Sequence, residues 1–367
     1  MTQKNTSSTP ESSGRWIISN FGRPGVLRWE EVDFTSELDK GSALIRIITA
    51  GIAGTDNLQR VGGYPNERCS KPGFTPGYDF VGEIVALGSN ATHSLLTKGD
   101  RVTALCTIGA HATHIVMPLE DLIRIEPSDD PAAVCALPLN YMTAYGMLMH
   151  SGVHLPPGST VLIGSVSGGV GTAMAQLINA FDLGIKMIGT CSPSKFEFVR
   201  SLGVIPVDRN APDLAEQVRA HTAGGKGVDV ACDAVGSDES LRMSHEAAKA
   251  DVGKVLVIGV MSEIKDDGNG LTNGTLDPDA FLQKLSQPWM TFFSMDRDWY
   301  YPKRQSWVSD FHKILAKVRE GSLVPAIARY FRLSQAVEAN QELVVGTNVK
   351  GKMVFLVDED LASERGI

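Results

Sequence analysis

The stretch VLIGSVSGGVGTAMAQL, residues 161 to 177, decides the fold of this chain. An apolar run of strand length ends in a glycine-rich loop, and the loop opens directly into a helix-like run. Ser165, Gly168 and Gly171 have the spacing of a dinucleotide fingerprint, in which backbone N–H groups and a helix N-terminus receive a pyrophosphate. A glycine turn without a ligand is the alternative, and the strand-loop-helix context argues against it.

Strands and helices alternate after this stretch. The runs KMIGT (186 to 190), VIPVD (204 to 208), VDVACDAVG (228 to 236) and KVLVIGV (254 to 260) have the character of buried strands, and helix-like runs separate them. This order predicts right-handed parallel βαβ units and a doubly wound sheet. We assign residues 138–305 to this dinucleotide-binding domain, within which 262–305 has no clear pattern.

The rest of the chain predicts a second domain. Short β-rich runs separated by Gly, Pro and Asn fill the chain from residue 15 to about 117, which indicates a partly open antiparallel barrel. The run AAVCALPLNYMTAYGMLMHSG (132 to 152) predicts two helices with a break at Leu137-Pro138. A helix at 307–321 and a strand at 352–357 are expected to return to the barrel. We therefore assign 15–137 and 306–367 to it, and residues 1–14 to a disordered polar tail.

Composition excludes several classes of protein. A net charge of −8 without a basic stripe argues against nucleic-acid and anionic-membrane partners. The five cysteines form no C-x-x-C pair, so we expect reduced thiols and no structural zinc lobe. No apolar run has the length of a membrane span, and the N-terminus has no signal-peptide pattern. A cytoplasmic location is the expectation.

The loop after the second strand of the dinucleotide domain indicates which cofactor binds. The run GTCSPSK (189 to 195) has no carboxylate to repel a 2′-phosphate. Ser192 and Ser194 offer hydroxyls, Lys195 an ammonium, and Arg209 follows the third strand. This pattern favours NADPH over NADH. A polar helix start with Ser192 as N-cap is the alternative, and both can hold together.

Several motifs together carry a resemblance to a known family. They are TPGYDFVGEIVALG (75 to 88), KGDRV (98 to 102), ALPLNYMTAYGML (136 to 148), GSVSGGVG (164 to 171) and GKMVFLV (351 to 357). The chain resembles, over residues 15 to 358, the zinc-free quinone oxidoreductase-like branch of the medium-chain dehydrogenase/reductase superfamily. The run NYMTAY is similar to the branch of the quinone-reductase-like synaptic-vesicle protein, and GTCSPSKFEFV resembles trans-acting enoyl reductases of fungal polyketide pathways.

The resemblance implies a fold and an activity. It implies a GroES-like barrel joined to a Rossmann domain, and hydride transfer from NADPH to a small molecule such as a quinone, an alkenal or an enoyl compound. We also expect a homodimer. A trans-acting enoyl reductase that serves a carrier protein and a non-catalytic NADPH-binding or scaffold protein remain open alternatives.

Two metal-ligand positions of the zinc-dependent relatives are changed here. Where those relatives read GICGTD and PGHEFVGEV, this chain reads GIAGTD (51 to 56) and PGYDFVGEI (76 to 84), which puts Ala53 and Tyr78 in place of the ligands. A catalytic zinc needs three protein ligands and an open position. Alcohol oxidation needs such a Lewis acid, whereas a conjugated C=C or a quinone delocalises the charge itself. The sequence therefore predicts no metal, and ene or quinone chemistry.

The chain also departs from its own branch. The common N-P-x-D or N-F-x-D motif loses its Asn to Ala53, so any role of that Asn cannot be carried over. Three positions match the branch: Asp56, Arg60 and Tyr64. Thr55 takes the hydroxyl position of the proton relay in zinc members, but the relay His falls on Leu58. We therefore expect Thr55 to contact the nicotinamide ribose.

The candidate site follows from these assignments. Candidate catalytic residues are Asp56 and three phenols that could hydrogen-bond a developing oxyanion, Tyr64, Tyr78 and Tyr141. A packed aromatic with a satisfied hydroxyl is the alternative for each Tyr. Expected cofactor contacts are Thr55, Thr143, Ser165, Ser167, Gly168, Gly169, Val170, Ser192, Lys195, Arg209 and Gly259. Three histidines have no ligand partners at suitable spacing and are interpreted as structural: His111, His114 and His150.

Overall fold

The computed structural model describes residues 13–89, 95–265, 267–274, 276–346 and 349–367. Its strands are β1 (Gly14–Ile18), β2 (Leu27–Glu31), β3 (Ser42–Ile52), β4 (Asp79–Leu87), β5 (Arg101–Leu105), β6 (His114–Pro118), β7 (Ile123–Arg124), β8 (Thr160–Ile163), β9 (Lys186–Cys191), β10 (Ile205–Asp208), β11 (Val230–Asp233), β12 (Lys254–Val257), β13 (Met290–Phe292), β14 (Ile327–Arg332) and β15 (Lys352–Leu356).

The helices lie mainly between the later strands. They are α1 (Gly54–Val61), α2 (Pro131–Cys135), α3 (Met142–Met149), α4 (Gly169–Ala180), α5 (Phe196–Ser201), α6 (Leu214–Ala220), α7 (Asp238–Ala247), α8 (Pro278–Lys284), α9 (Arg304–Arg319), α10 (Ala336–Val345) and α11 (Glu359–Glu364). Two π-helical segments also occur, Leu137–Tyr141 and Asp296–Tyr300. Of the predicted tail, only Ser13 and Gly14 are described residues, and Gly14 already begins β1.

The first domain is a largely antiparallel barrel sheet. Among the described residues the strand order is β14-β15-β3-β4-β5-β7, with β6 paired to β3 and β1–β2 as a separate ribbon. The long strand β3 lies at the centre because SALIRIITAGI is buried at ten of its eleven positions, as expected for a strand covered on both faces. The predicted return of the C-terminal strand to this sheet is seen in the antiparallel pairing of β15 with β3.

The second domain is the parallel sheet that the alternating pattern predicts. Its order within the described chain is β10-β9-β8-β11-β12-β13, and each neighbouring pair is parallel. The order reverses beside β8, so a crevice opens at the carboxyl ends of β8 and β11, where such folds bind ligands. The predicted α/β fold class, a GroES-like barrel plus a Rossmann sheet, is confirmed.

The chain between the two domains is nearly continuous helix. The predicted break at Leu137-Pro138 is instead a π-helical segment that joins α2 to α3. Pro138 is the second residue of that segment, and a π-helical turn of this kind occurs where the regular hydrogen-bond ladder of a helix is interrupted. By length and composition the run Pro131–Met149 could cross a membrane, but 83% of its most apolar window is buried inside the protein, which is the pattern of a core helix.

The segment that the sequence left unassigned is partly regular. It contains α8, the short edge strand β13 and the π segment Asp296–Tyr300. The predicted boundary at residue 306 falls inside α9, whose Arg304 donates to the Asp121 carbonyl at 2.8 Å and whose Arg319 donates to Asp129. This helix packs against α3 and the π segment Leu137–Tyr141, and its Trp307 and Phe311 are fully buried. The next strand of the barrel sheet after α9 is β14, and the domain boundary at residue 306 stays a prediction.

Candidate active site

The glycine-rich loop joins β8 to α4 in a tight turn. Ser165 has a positive φ of 51°, and the Gly168 N–H donates to its carbonyl at 2.8 Å. A Cβ on Gly171 would lie 2.5 Å from the backbone of Val166, so only glycine lets α4 approach the loop this closely. Gly168 is the N-cap of α4, and no side chain caps its first N–H groups. These donors are free for an anion.

The other residues of the expected cradle surround this loop. The Ser167 carbonyl accepts from Gly351 N–H at 2.9 Å, so the chain before β15 lies on the cofactor loop, and Val170 packs on the core behind it. Gly259 lies just beyond the carboxyl end of β12, where a Cβ would stand 2.7 Å from the Ala234 carbonyl. These positions line the same edge of the sheet.

Asn140 belongs beside this cradle, and the sequence analysis did not select it. The side chain of Asn140 is buried on the π segment, and its Nδ2 lies 1.9 Å from where a Cβ of Gly169 would be. Asn140 thus occupies the space that the second glycine leaves open. The quoted motif LPLNYMTAY contained it, but nothing in the motif tells a loop contact from a helix position.

Two threonines were predicted to contact the cofactor. The hydroxyl of Thr55 is buried and has no hydrogen-bond partner, which is uncommon for a buried polar group and fits a hydroxyl awaiting a ligand. The Thr143 hydroxyl contacts the Met295 sulfur at 3.8 Å. Together with the free N–H groups of α4, this orphaned hydroxyl means that the residues present fit a bound dinucleotide.

The far end of the cradle is positively charged. Ser192 and Ser194 follow β9, with their hydroxyls 3.2 Å apart. Lys195 is 7% exposed and donates to the carbonyls of Gly346 and Val349 at 3.2 and 3.1 Å. Burial lowers the pKa of Lys195, and the nearby cations Arg209 and Lys350 lower it further. A group of three cations fits a phosphate. Lys350 was not predicted, because it lies 155 positions from Lys195 in the sequence.

At the first vacated metal-ligand position, a carboxylate holds the start of a helix. Ala53 is the N-cap of α1, and its N–H donates to Asp56 Oδ2 at 2.8 Å. Asp56 is 1% exposed, and His111 Nε2 lies 3.9 Å from the same oxygen. In this arrangement Asp56 caps α1. The structure gives Asp56 a positioning contact, and its proposed catalytic role stays a prediction.

At the second vacated position, two phenols and a carboxylate form a chain. Tyr78 donates to Asp296 Oδ2 at 2.6 Å, and the Tyr64 and Tyr78 hydroxyls are hydrogen-bonded to each other. Tyr78 is 2% exposed, whereas Tyr64 is partly exposed. Burial raises the pKa of both phenols well above the ordinary value, with Asp296 as the next cause. Burial also raises the pKa of Asp296, against the opposing hydrogen bonds from the two phenols.

A buried ion pair fixes the strand that carries Tyr78. Lys352 Nζ lies 3.0 Å from both carboxylate oxygens of Asp79, and both side chains are fully buried. Asp79 Oδ2 also accepts from the Leu139 N–H at 3.2 Å. Because Asp79 follows Tyr78 directly, these contacts from β15 and the π segment hold the Tyr78 backbone in place.

The third predicted phenol lies apart from this chain. The Tyr141 hydroxyl donates to Gln176 Oε1 at 2.6 Å on α4, and the side chain is 2% exposed. Burial raises the pKa of Tyr141 above its ordinary value. The contacts of Tyr141 therefore match the alternative of a packed aromatic with a satisfied hydroxyl.

Asp296 is the main functional candidate that sequence reasoning missed. It lies in the unassigned 262–305 segment, 218 positions from Tyr78. The only local signal is an Asp next to aromatic residues in SMDRDWYY (294 to 301), and Asp298 fits that signal equally well. Only the fold distinguishes the two carboxylates.

A cavity of about 530 Å³ opens on the barrel beside this site. Its lining includes Arg68, Cys106, Tyr300 and Tyr301. None of the expected cofactor residues and none of the Tyr64–Tyr78–Asp296 chain lines it. The cavity therefore adjoins the π segment that carries Asp296, through Tyr300 and Tyr301, but the proposed site residues do not line it.

With this geometry established, the comparisons with known proteins define the class of the protein. The family model "Alcohol dehydrogenase GroES-like domain" matches residues 39–127, and "Zinc-binding dehydrogenase" matches 169–286. A 2-haloacrylate reductase from Burkholderia sp is 30% identical over 93% of this chain and 98% of its own length. A quinone oxidoreductase from Pongo abelii is 28% identical over 93% of this chain and 96% of its own.

A solved structure agrees with the fold. The quinone oxidoreductase of Pseudomonas syringae pv. Tomato DC3000 superposes with a TM-score of 0.77, at 24% identity, over 94% of this chain and 99% of that one. The chain belongs to the medium-chain dehydrogenase/reductase superfamily and, within it, to the quinone oxidoreductase-like branch. It is an oxidoreductase of a superfamily that uses a nicotinamide cofactor.

Proposed function

We propose that this protein reduces an activated C=C bond or a quinone with NADPH and without zinc. The observation that carries the proposal is the hydrogen-bonded chain of Tyr64, Tyr78 and Asp296 at a vacated metal-ligand position. A phenol at this place can hydrogen-bond an oxygen as negative charge develops on it. The site is therefore equipped for an enolate or a quinol oxygen without a metal.

The related enzymes support the same substrate class. A haloacrylate carries a C=C bond conjugated with a carboxylate, and a quinone is a conjugated dicarbonyl. Both accept two electrons and delocalise the resulting charge, so neither needs a Lewis acid to react. The names of the two relatives thus cover both classes that we propose for this chain.

NADPH is the proposed cofactor because three cations surround the predicted 2′-phosphate position. Arg209 and Lys350 are both close enough to Lys195, just after β9, to lower its pKa. Asp208, which ends β10 beside Arg209, accepts a hydrogen bond from the Asn210 N–H at 3.0 Å. When bound, NADPH supplies the hydride. The N-terminus of α4 would hold its phosphates, and Thr55 would contact its ribose.

The proposal is tested with one assay. Purified protein is mixed with NADPH and, in turn, quinones, alkenals, 2-substituted acrylates and enoyl thioesters, and the loss of NADPH absorbance is followed. We expect turnover with at least one conjugated acceptor and little turnover with saturated ketones. Turnover with carrier-bound thioesters alone would establish the trans-acting enoyl reductase. Tight NADPH binding without any turnover would establish the non-catalytic alternative.

A homodimer in the cytoplasm remains part of the proposal. The strand β13 has β12 as its one neighbour in the described sheet, which leaves its other edge free to pair. A free edge favours pairing with a second copy about a two-fold axis. We expect light scattering to give twice the chain mass; a monomer at working concentration would contradict this part.

A further inference from the structure

The two ends of the Tyr64–Tyr78–Asp296 chain differ in their access to solvent. Tyr64 is partly exposed, whereas Tyr78 is 2% exposed with its hydroxyl engaged on both sides. Asp296 closes the other end, where Oδ1 is buried and has no hydrogen-bond partner. Thr143, an expected cofactor contact, touches Met295, the residue before Asp296. Tyr64 is therefore the more exposed end of this hydrogen-bonded chain.

The protonation state of Asp296 sets the direction of both hydrogen bonds. As a carboxylate, Asp296 accepts from Tyr78, and Tyr78 accepts from Tyr64, so the Tyr64 proton points into the chain. As a carboxylic acid, Asp296 donates to Tyr78, and Tyr78 donates to Tyr64, so the Tyr64 proton points outward. A phenol has one proton to donate, which makes the two arrangements mutually exclusive.

We propose that Asp296 is the proton reservoir of this chain and sets its direction, and that Tyr64 passes the proton to the reduced substrate. The proposal rests on the proposed function and adds to it the residue that protonates the product. It makes Tyr64 the catalytic residue and makes Tyr78 and Asp296 positioning residues. In this arrangement Tyr78 does not donate directly to the substrate, because its hydroxyl lies between those of Tyr64 and Asp296.

The step balances without any additional reagent. The Tyr64 O–H bond breaks as a bond from that proton to the substrate anion forms. Tyr78 restores the Tyr64 proton, and Asp296 restores the Tyr78 proton and becomes a carboxylate. Each of the three protons moves to the next oxygen or to the substrate, and no electrons are transferred among the three residues. After the product leaves, a proton from water enters at Tyr64 and the chain runs in reverse to reload Asp296.

The surroundings of Asp296 favour its neutral form. The titratable groups that act on it are Tyr78 from the start of the β4 region and Tyr64 from the segment after α1. Cys69 and Tyr301 act on Tyr64. The adjacent Arg297 is paired with Asp298 at 2.8 Å, and among the described residues no basic side chain forms an ion pair with Asp296. The pKa of Asp296 is accordingly raised by burial.

The first test is the pH profile of kcat for Asp296→Asn. In the wild-type protein kcat should fall about tenfold per pH unit once pH exceeds the Asp296 pKa. The reason is that ionised Asp296 accepts from Tyr78, Tyr78 then accepts from Tyr64, and the Tyr64 proton no longer points to the substrate. In Asp296→Asn that decline should disappear, and kcat at low pH should drop by about 10²-fold with an unchanged KM for NADPH. A variant profile parallel to the wild-type profile would overturn the proposal.

Asp298→Asn is the matched control. Asp298 lies two positions further along the same π segment and contacts Arg297 and the Ser294 N–H, outside the chain of phenols. This variant should keep the wild-type pH profile. If it loses the decline as Asp296→Asn does, the effect comes from the π segment as a whole and the proposal is wrong.

A second variant and a spectroscopic measurement cover the remaining outcomes. Tyr78→Phe cuts the chain, so it should abolish the same pH dependence, and the double variant with Asp296→Asn should lose no further activity. Infrared difference spectra of wild type against Asp296→Asn should show a carboxylic-acid band that disappears over the pH range in which kcat falls. This band can be measured even if the acceptor panel finds no substrate. Its absence at every pH would overturn the proposal, while an inactive wild type would overturn only the proposed function.

Discussion

A phenol in place of a metal ligand changes what a single residue can contribute to the reaction. Zinc neutralises a developing oxyanion by its charge, whereas Tyr78 contributes through hydrogen bonds and has no net charge to offer. Its hydroxyl is already engaged with Tyr64 and Asp296. The contribution of Tyr78 is therefore tied to its partners, and removal of its oxygen affects all three residues.

Tyr78→Phe should lower the rate constant of single-turnover reduction by about 10²-fold with little change in NADPH affinity, because the hydrogen bonds matter most as charge develops. It should also cost about 1–3 kcal/mol of unfolding free energy, since Asp296 loses a partner in a buried place. Stopped-flow absorbance and a denaturant melt give the two values. Tyr300→Phe is the control, because its buried hydroxyl donates to the Leu105 carbonyl at 3.1 Å, outside the chain. A normal rate in Tyr78→Phe would make the phenol purely structural.

Lys195→Glu should raise the KM for NADPH about tenfold or more and leave the KM for NADH nearly unchanged, because a charge-assisted contact to the 2′-phosphate becomes a repulsion. Lys186→Glu is the matched control, since Lys186 begins the same strand β9 at its opposite end. Lys195 also holds the Gly346 and Val349 carbonyls. An equal rise for both cofactors would mean that this structural contact, and not phosphate recognition, is its main role.

Among the elements, the junction of β8 and α4 was the most predictable from sequence, for a local reason. Strand, loop and helix are consecutive there, so the glycine spacing and the apolar pattern are read from one continuous stretch. The Tyr64–Tyr78–Asp296 chain was only partly predictable. Its phenols lie within family motifs, but Asp296 reaches them from a segment more than 200 positions away. The helical path through Pro138 also escaped prediction, because proline normally interrupts a helix and no sequence signal marks the π-helical turn that carries the chain past it.

Gly171→Ala should disturb the β8–α4 junction. Its Cβ would stand 2.5 Å from the Val166 backbone, which cannot move without shifting the loop. Overpacking of this kind typically costs about 1–3 kcal/mol, and the displaced α4 N-terminus should also bind NADPH more weakly. Denaturant melts and fluorescence titration measure the two effects. Gly25→Ala has open space around the added Cβ and should stay within about 0.5 kcal/mol of wild type. Equal stability of the two variants would contradict the close-approach argument.

At the scale of the whole molecule, the proposed cofactor site is shared between the two domains. The cradle belongs to the parallel sheet, but Lys350 and Gly351 reach it from the barrel domain just before β15. The core is shared too, because Tyr78 and Leu105 of the barrel lie in one apolar cluster with Ile163 and Trp299 of the second domain. Cofactor binding should therefore stabilise both domains together, with a single melting transition that rises with NADPH concentration.

The whole chain should function without zinc, although one of its two family models is described as a zinc-binding dehydrogenase. Two metal-ligand positions of the zinc enzymes are occupied here by Ala53, which has only a methyl group, and by Tyr78, which is hydrogen-bonded to Asp296. The spacing of the five cysteines does not match a structural zinc lobe. Within the described residues no three His, Cys, Asp or Glu side chains gather as a metal site. Elemental analysis of protein purified without chelators should show well under one zinc per chain, and added chelator should leave turnover and melting temperature unchanged. Stoichiometric zinc whose removal lowers turnover or the melting temperature would contradict the metal-free mechanism. A Lewis acid would then be available to stabilise the substrate oxygen, and the tyrosines would not be needed for that role.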